Sequence, residues 1–285
     1  MNRILVPTDF SPNADRAIDY AVQIAKLNQA TIYLIHACDH LDPLYLENTF
    51  SEREYNLAIT DAAFDKLEML RRSIEETEQV LVNIQLYNGP VLDTILVAAE
   101  EHQADLVIMG TLGITGLRDK LFGSKTAALI SSCKVPVLAI PLEYDWSKPA
   151  RFLLAIKDVD EAIPLLEPAF DLAALFNAEV LITIFTDEDD AGTLDYLVDE
   201  RVVIRAGEKL KKQHNLVVIK TEHLLGRHFE DSINEYIAKN EIDLLAMITH
   251  KRSRIGNLFN HSLTRKMSYH TRVPVLAIPA RKPHS

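Results

Sequence analysis

Short runs of apolar residues alternate with longer stretches of helical periodicity along the whole chain. In the first half the apolar runs lie at Ile4–Val6, Thr31–His36, Val80–Leu86, Leu106–Met109 and Val135–Ile140. Continuous runs of this length, rich in Val, Ile and Leu, are typical of strands that are buried on both faces of a sheet. The pattern therefore predicts five parallel strands in the first half.

Helical patterns separate these runs. Ser11-Pro12 is a helix start, since serine caps helices well and proline fits the first helical position, so we predict a helix over Pro12–Leu27. Two more are predicted at Val91–His102 and Ser124–Ser132. Asp39–Arg53 fits neither pattern and is predicted to be a mobile loop with room for one helical turn. A further helix is predicted from an apolar stripe made of Leu57, Phe64, Leu67, Leu70 and Ile74.

The second half of the chain repeats the first. Residues 106–141 and 244–279 align without a gap at an offset of 138, and both end in Val-Pro-Val-Leu-Ala-Ile-Pro. Internal repetition of alternating strands and helices predicts two tandem α/β domains, each doubly wound and Rossmann-like. We place them at residues 1–142 and 150–281, with the polar stretch Glu143–Pro149 as the linker.

The loop after the fourth predicted strand has the chemistry of a phosphate site. It contains Gly110 and Gly113, then Gly123 followed by Ser124 and Lys125 at the start of a helix. Glycine lets the backbone approach a ligand closely, and a helix N-terminus offers free N–H groups to an anion. The hydroxyls of Ser124 and Thr126 and the cation of Lys125 would add to this, although a solvated surface lysine is an equal reading of Lys125.

The glycine loop is neither a Walker A motif nor a dinucleotide fingerprint. A Walker A motif needs glycine directly before lysine, whereas Ser124 intervenes here, and no G-x-G-x-x-G follows the first strand. Asp9 ends that strand, where it would accept hydrogen bonds from ribose hydroxyls or, alternatively, cap the first helix. His36 ends the second strand and is interpreted as a packed core residue rather than a ligand. A vestigial glycine loop that only makes turns remains the alternative.

In combination these residues resemble the universal stress protein family in its tandem two-domain form. The resemblance rests on Gly-x2-Gly-x9-Gly-Ser, Pro7-Thr8-Asp9-Phe10-Ser11, a strand ending in His36-Ala37, and the final Val-Pro-Val-Leu. It implies five-stranded sheets of order 3-2-1-4-5, a role in stress survival, and ATP as the ligand, with or without Mg²⁺. The implied ATP-binding positions are Pro7, Thr8, Asp9, Ala37, Met109, Gly110, Gly113, Gly123, Ser124 and Lys125.

The resemblance also predicts how the halves join. Single-domain relatives pair the last strand across a dimer, and an unpaired edge strand exposes backbone groups that seek a partner. We therefore predict that Val135–Ile140 pairs with Val273–Ile278 inside one chain, which would give an internal pseudo-two-fold axis. A homodimer of whole chains and an unidentified protein partner are left open.

The second half departs from the motif. Gly110, Gly113 and Gly123 correspond to Ile248, Lys251 and His261, and only Ser124 keeps its partner, Ser262. Longer side chains at these positions would fill the space that phosphate oxygens need, so we predict that the second half binds ATP poorly or not at all. Asp158 replaces Asp9 only after a one-residue shift. The loop there is basic, with His250, Lys251, Arg252 and Arg254, which would suit another anion or a protein contact.

Composition and charge narrow the class of protein further. The 285-residue chain is 48% hydrophobic and 25% charged, as in soluble globular proteins, and its formal net charge of −11 argues against a nucleic-acid partner. No apolar run is long enough for a membrane span. In the second half no pair of histidines has the H-x-x-x-H spacing of helical metal ligands among His214, His223, His228, His250, His261 and His270. Cys38 and Cys133 are predicted to be reduced core thiols of a cytoplasmic protein.

Three functional hypotheses follow. The first is an ATP-binding, non-catalytic regulator of a stress response, because no catalytic constellation accompanies the glycine loop. The second is a slow ATP hydrolase or phosphotransferase in which Lys125 or Thr126 assists at the γ-phosphate. The third is a scaffold without a bound ligand.

Overall fold

The architecture is taken from a computed structural model. It describes residues 1–38, 49–111, 124–156, 163–187, 193–249 and 271–280. Within these residues the fold has ten strands, most of which are separated by helices.

The elements of the first half follow the predicted order. They are β1 (Arg3–Pro7), α1 (Pro12–Asn28), β2 (Thr31–Cys38), α2 (Thr49–Glu78), β3 (Val82–Asn88), α3 (Val91–Glu101), β4 (Leu106–Gly110), α4 (Ser124–Ser132) and β5 (Val137–Ile140). The predicted loop Asp39–Arg53 is wrong over its last part, since Thr49–Arg53 is the start of α2. Its residues 39–48 lie outside the described part of the chain.

The described part of the second half contains the corresponding elements in the same order, except for a counterpart of α4, whose position lies outside the described residues. They are β6 (Arg151–Ile156), a 3₁₀ turn (Ile163–Leu165), α5 (Glu167–Phe176), β7 (Glu179–Asp187), α6 (Thr193–Gln213), β8 (Ile219–Gly226), α7 (Phe229–Lys239), β9 (Leu244–Thr249) and β10 (Val275–Pro279).

All ten strands form one sheet, in the order β3-β2-β1-β4-β5-β10-β9-β6-β7-β8. Each half therefore has the predicted order 3-2-1-4-5 and is parallel throughout. The halves meet where β5 and β10 pair antiparallel, with Leu138 opposite Leu276. This confirms the predicted pairing and the internal pseudo-two-fold axis, and it removes the edge that each half alone would leave open.

The two halves also repeat each other in their hydrogen bonds. Asp105 accepts from the backbone amides of Asn2 and Arg3 through Oδ2, and Asp243 accepts from those of Ala150 and Arg151 in the same way. The guanidinium of Arg3 donates to the His102 carbonyl, as that of Arg151 does to the Asn240 carbonyl. An aspartate that ties the start of the first strand to the start of the fourth is thus a feature of both copies.

Both faces of the sheet carry a hydrophobic core that continues from one half into the other. On the face of α1, α2, α5 and α6, buried residues such as Ile24 and Leu67 belong to the same cluster as Phe152 and Phe176. The face of α3, α4 and α7 is equally continuous. The two copies therefore share their cores, so we expect them to unfold as a unit.

The predicted core stripe of α2 is correct only in part. Leu67 and Ile74 are buried and Leu70 is half-buried, but Leu57 and Phe64 are 62% and 49% exposed. Buried Ala63 lies four residues before Leu67, as the 3.6-residue period of a helix requires, and Phe64 lies 100° further round. The sequence pattern therefore missed Ala63, a small residue of the buried stripe, and took its larger neighbour Phe64 instead.

The linker is an aromatic contact between the halves as well as a connection. Trp146 packs edge-on against Tyr20 of α1, with ring centroids 4.7 Å apart, and its ring centroid lies 5.9 Å from that of Phe176 on α5. Asp145 forms an ion pair with Arg16 at 2.7 Å. The stretch that separates the copies in sequence therefore helps to fasten them together.

Two findings concern the sequence expectations about compartment and membrane. Cys38 and Cys133 are both buried and do not form a disulfide, as predicted. Among the described helices, none has the length and apolar character that a membrane crossing requires.

Candidate functional site

The candidate site lies at the carboxyl ends of β1, β2 and β4. The chain leaves β1 for one face of the sheet and β4 for the other, because α1 and α4 pack on opposite faces. In a doubly wound sheet this divergence opens a cleft between the two loops, and ligands bind there. Register places two of the predicted residues side by side: Leu5 pairs with Val107, so Pro7 at the end of β1 lies level with Met109, one residue before the end of β4.

The loop from β1 to α1 is held by its own side chains. The Thr8 hydroxyl accepts from the Phe10 amide at 3.0 Å, and Asp9 Oδ1 accepts from the Ser11 amide at 3.1 Å. These two turns keep Phe10 in the left-handed region, at φ 59°, a conformation that few non-glycine residues adopt. Two side-chain hydrogen bonds thus define the conformation of this loop.

The alternative reading of Asp9 as the cap of α1 is wrong. The N-cap is Ser11, whose Oγ accepts from the Ala14 amide at 3.2 Å, as its position before Pro12 predicted. Asp9 stands two residues earlier, half-buried at the end of β1. Its carboxylate is close enough to Asp15 that, after burial, it is the second cause of the raised pKa of Asp15. Negative charge is thus concentrated at the start of α1.

The end of β2 forms the next wall of the site. Ala37 pairs with Tyr87 of β3, and Cys38 follows with its side chain buried. His36 Nδ1 lies 2.8 Å from the Thr8 carbonyl, and the centroids of its ring and the Phe10 ring are 4.6 Å apart. His36 is therefore packed, as predicted, but it also contacts the predicted nucleotide loop.

The end of β4 needs glycine at position 110 for a reason that the sequence did not reveal. A Cβ on Gly110 would lie 2.6 Å from the Asn13 carbonyl oxygen and 2.7 Å from its side-chain Cγ. Asn13 stands in the first turn of α1 and is buried. Gly110 thus allows α1 to approach β4, which is a packing role in addition to the predicted role at a ligand.

The two predicted phosphate contacts at the start of α4, Lys125 and Thr126, differ in their exposure. Lys125 is exposed, so its amine is free to approach an anion. Thr126 is buried and its hydroxyl donates to the Gly110 carbonyl at 3.0 Å. The expectation that Thr126 offers its hydroxyl to phosphate is therefore wrong for this arrangement, because that hydroxyl ties α4 to the end of β4. Gly113 and Gly123 lie outside the described residues.

The second half has a different wall at the position of Ala37. Counting from the aligned Arg3 and Arg151, Ala37 corresponds to Phe185 of β7, whose ring packs edge-on against Phe229 with centroids 5.3 Å apart. Gly110 corresponds to Ile248, which is half-buried on β9. Two bulky side chains therefore stand where the first half has Ala and Gly. Asp158, Lys251, His261, Ser262 and the basic loop lie outside the described residues.

Among the residues that the structure describes, no three His, Cys, Asp or Glu side chains come together in a group that would hold a metal ion. The residues that sequence reasoning missed at the site are Phe10 and Asn13. A phenylalanine inside a Pro-Thr-Asp-Phe-Ser loop was a visible signal, whereas the fit of Asn13 to Gly110 is a tertiary contact that the sequence does not encode locally.

Fold and site together define a tandem doubly wound α/β protein whose candidate site lies at the strand ends of its first half. The family model of the universal stress proteins matches residues 1–141 and again residues 150–279. The chain belongs to the universal stress protein family.

Two archaeal relatives and one solved structure illustrate the relationship. Universal stress protein MJ0531 of Methanocaldococcus jannaschii is 30% identical over 138 residues, which cover 48% of this chain and 81% of the relative. MJ0577 of the same organism is 28% identical over 153 residues, or 48% and 93% of the two chains. The crystal structure of a universal stress protein from Archaeoglobus fulgidus has a TM-score of 0.77 at 18% identity and covers 98% of this chain and 99% of its own, so the tandem fold is shared.

Proposed function

We propose that the first half binds ATP, with or without Mg²⁺, and that the protein is a non-catalytic, nucleotide-dependent regulator in a stress response. The observation that carries the proposal is the meeting of three features at one switch point. These are the hydrogen-bonded Thr8–Phe10 loop with the Asp9 carboxylate, the small wall at Ala37, and Gly110 beside the start of α4. In such a site the carboxylate of Asp9 binds ribose hydroxyls, and the phosphates lie toward α4.

The phosphate end of the proposal rests on Lys125 and on the glycine spacing. Lys125 is exposed at the N-terminus of α4, where unpaired backbone N–H groups favour an anion. Gly113, Gly123 and Ser124 have the sequence of the family motif and would complete the phosphate contacts. Met109 and Pro7 lie side by side near the ends of the adjacent strands β4 and β1, so both would line the nucleoside.

We propose that the second half does not bind the nucleotide. Phe185 packs against Phe229 at the position of Ala37, and Ile248 takes the place of Gly110. An adenine that reads the backbone at the end of the second strand would collide with an aromatic side chain there. The expected stoichiometry is therefore one nucleotide per chain.

A regulatory function is favoured over ATP hydrolysis or phosphoryl transfer. Thr126, one candidate for assisting at the γ-phosphate, already uses its hydroxyl on the Gly110 carbonyl. Two buried free thiols are consistent with a reducing compartment, and we propose the cytoplasm.

The test combines mass spectrometry with calorimetry. The purified chain is denatured and analysed for co-purified nucleotide, and the nucleotide-free chain is titrated with ATP with and without Mg²⁺. We expect about one ATP per chain and no phosphate release above buffer during prolonged incubation. Two equivalent sites would contradict the proposed asymmetry, phosphate release would favour the hydrolase, and an absence of binding would favour the scaffold.

A further inference from the structure

His36 is the side chain at the site whose contacts the proposed function does not use. It is half-buried near the end of β2, a strand away from the loop that it contacts. Its Nδ1 lies 2.8 Å from the carbonyl oxygen of Thr8. Because a carbonyl oxygen only accepts, Nδ1 must carry the proton, and both the neutral Nδ1–H ring and the charged ring would donate this bond.

The His36 imidazole also packs against Phe10, whose backbone lies in the left-handed region. Its ring faces Phe10 at a centroid distance of 4.6 Å, and Lys66 of α2 lies 5.2 Å from the centroid of the Phe10 ring. Phe10 at φ 59° is in a conformation that costs free energy for a non-glycine residue, so it persists only where its surroundings hold it. His36 therefore contacts the loop at the Thr8 carbonyl and at the Phe10 ring, on either side of Asp9.

The second half lacks the side chains that make these contacts. Ile184 of β7 takes the position of His36 and is buried, with no polar atom in its side chain. Ile156, the counterpart of Thr8, ends β6 without a hydroxyl. The histidine thus occurs in the half that carries the glycine motif and is missing from the half that has lost it.

We infer that His36 is a positioning residue of the nucleotide site. It acts through the Nδ1 hydrogen bond to the Thr8 carbonyl, which holds the Asp9 carboxylate where a ribose binds, and its packing against the Phe10 ring is secondary. The inference rests on the proposed ATP site, since Asp9 has a ligand to meet only there. His36 itself contacts the loop and not the nucleotide.

Substitutions separate the hydrogen bond from the ring contact. His36→Asn places an amide N–H two bonds from Cβ, where Nδ1 stands, and so keeps a donor for Thr8. His36→Phe keeps an aromatic ring against Phe10 and removes the donor. His214→Phe is the matched control, because His214 also stacks on a phenylalanine, Phe170 at 4.0 Å, but lies in the second half.

The first measurement is ATP affinity by calorimetry. Loss of one hydrogen bond predicts a dissociation constant about three- to tenfold higher in His36→Phe. His36→Asn is expected within twofold of the parent, and His214→Phe should be unchanged. Parent-like affinity in His36→Phe, or equal weakening in His36→Asn, would overturn the inference. If His36→Phe does not fold, His36→Gln, which carries its amide one bond too far from the backbone, replaces it.

The second measurement needs no nucleotide. Amide hydrogen exchange reports the Phe10 and Ser11 N–H groups, which donate to Thr8 and Asp9 side chains. We expect faster exchange at both amides in His36→Phe, with near-parental exchange in His36→Asn. Unchanged exchange in every variant contradicts the positioning role even if ATP binds. If instead the parent fails to bind ATP while these amides respond, the proposed function is wrong and the loop contact stands.

Discussion

Leu138 of β5 lies directly opposite Leu276 of β10 in the antiparallel pair that joins the two halves. These residues are also equivalent in the internal repeat, at the offset of 138 that aligns the copies. A residue that pairs with its own counterpart marks the position of the pseudo-two-fold axis. Both side chains are fully buried in the same core, which contains helices from both halves.

The pairing predicts a strong energetic coupling between these two leucines. Leu138→Ala and Leu276→Ala should each lower the free energy of unfolding by about 2–5 kcal/mol, because each leaves a cavity in a closed core. Their effects should be non-additive by at least about 0.5 kcal/mol, since they share contacts across the seam. Urea denaturation of both single variants and the double variant measures this term.

Leu210 of α6 supplies the control for that cycle. It is as buried as Leu138 but lies above β7 and β8, far from the seam. Leu138→Ala combined with Leu210→Ala should therefore be additive. Additivity in the Leu138–Leu276 pair as well would show that the seam does not couple the halves.

Gly110→Ala is predicted to destabilise the protein in the absence of any ligand. The added Cβ would meet the Asn13 backbone oxygen at 2.6 Å, so α1 or β4 must move, at a cost of about 1–3 kcal/mol. Asn13→Ala should relieve this only in part, because the carbonyl oxygen remains. A denaturation midpoint for nucleotide-free Gly110→Ala equal to that of the parent would leave only the ligand-binding explanation for this glycine.

Tyr20→Phe is predicted to leave stability unchanged or to raise it. The Tyr20 hydroxyl is buried between the halves and finds no hydrogen-bond partner in the described structure. Removing an unsatisfied buried hydroxyl relieves a desolvation penalty. Thermal melts at constant protein concentration measure the change.

The comparison for Tyr20 is Tyr236, another buried tyrosine at the opposite face of the sheet. Its hydroxyl donates to Glu222, so Tyr236→Phe should destabilise by about 1 kcal/mol. Equal losses in both variants would mean that the Tyr20 hydroxyl has a stabilising contact after all.

Most of the fold was predictable because the chain repeats itself. Buried strands such as β4 are unbroken apolar runs, and Ser11-Pro12 marks the start of α1, so both follow from local chemistry. The exposed positions of Leu57 and Phe64 were not predictable by the same means. Apolar side chains on a helix surface look like core residues until the sheet beneath the helix is known.

The same distinction between local sequence patterns and tertiary contacts applies to the candidate site. Asp9 and Gly110 were predicted because strand ends and glycines are visible in a sequence, and Ala37 was predicted from the resemblance to the family. The hydrogen bond of Thr126 to Gly110 and the contact of His36 with Thr8 join residues that are 16 and 28 positions apart. Such contacts depend on which strands become neighbours, and a single sequence encodes that only through the whole fold.

Gly113→Val is predicted to abolish nucleotide binding, because a branched side chain obstructs the backbone approach that phosphate needs and disfavours positive φ. Asp9→Ala should weaken binding by about 1.5–3 kcal/mol, the scale of a hydrogen bond to a charged group. Asp9→Asn, which keeps an acceptor for the Ser11 amide, separates the lost charge from a loosened loop.

Ligand at a hundred times its dissociation constant stabilises the native state by about 2.7 kcal/mol. ATP should therefore raise the melting temperature of the parent and of His261→Ala, the matched change in the second half, but not that of Gly113→Val. A full ATP-dependent shift in Gly113→Val would move the site away from the glycine loop while leaving the tandem fold intact.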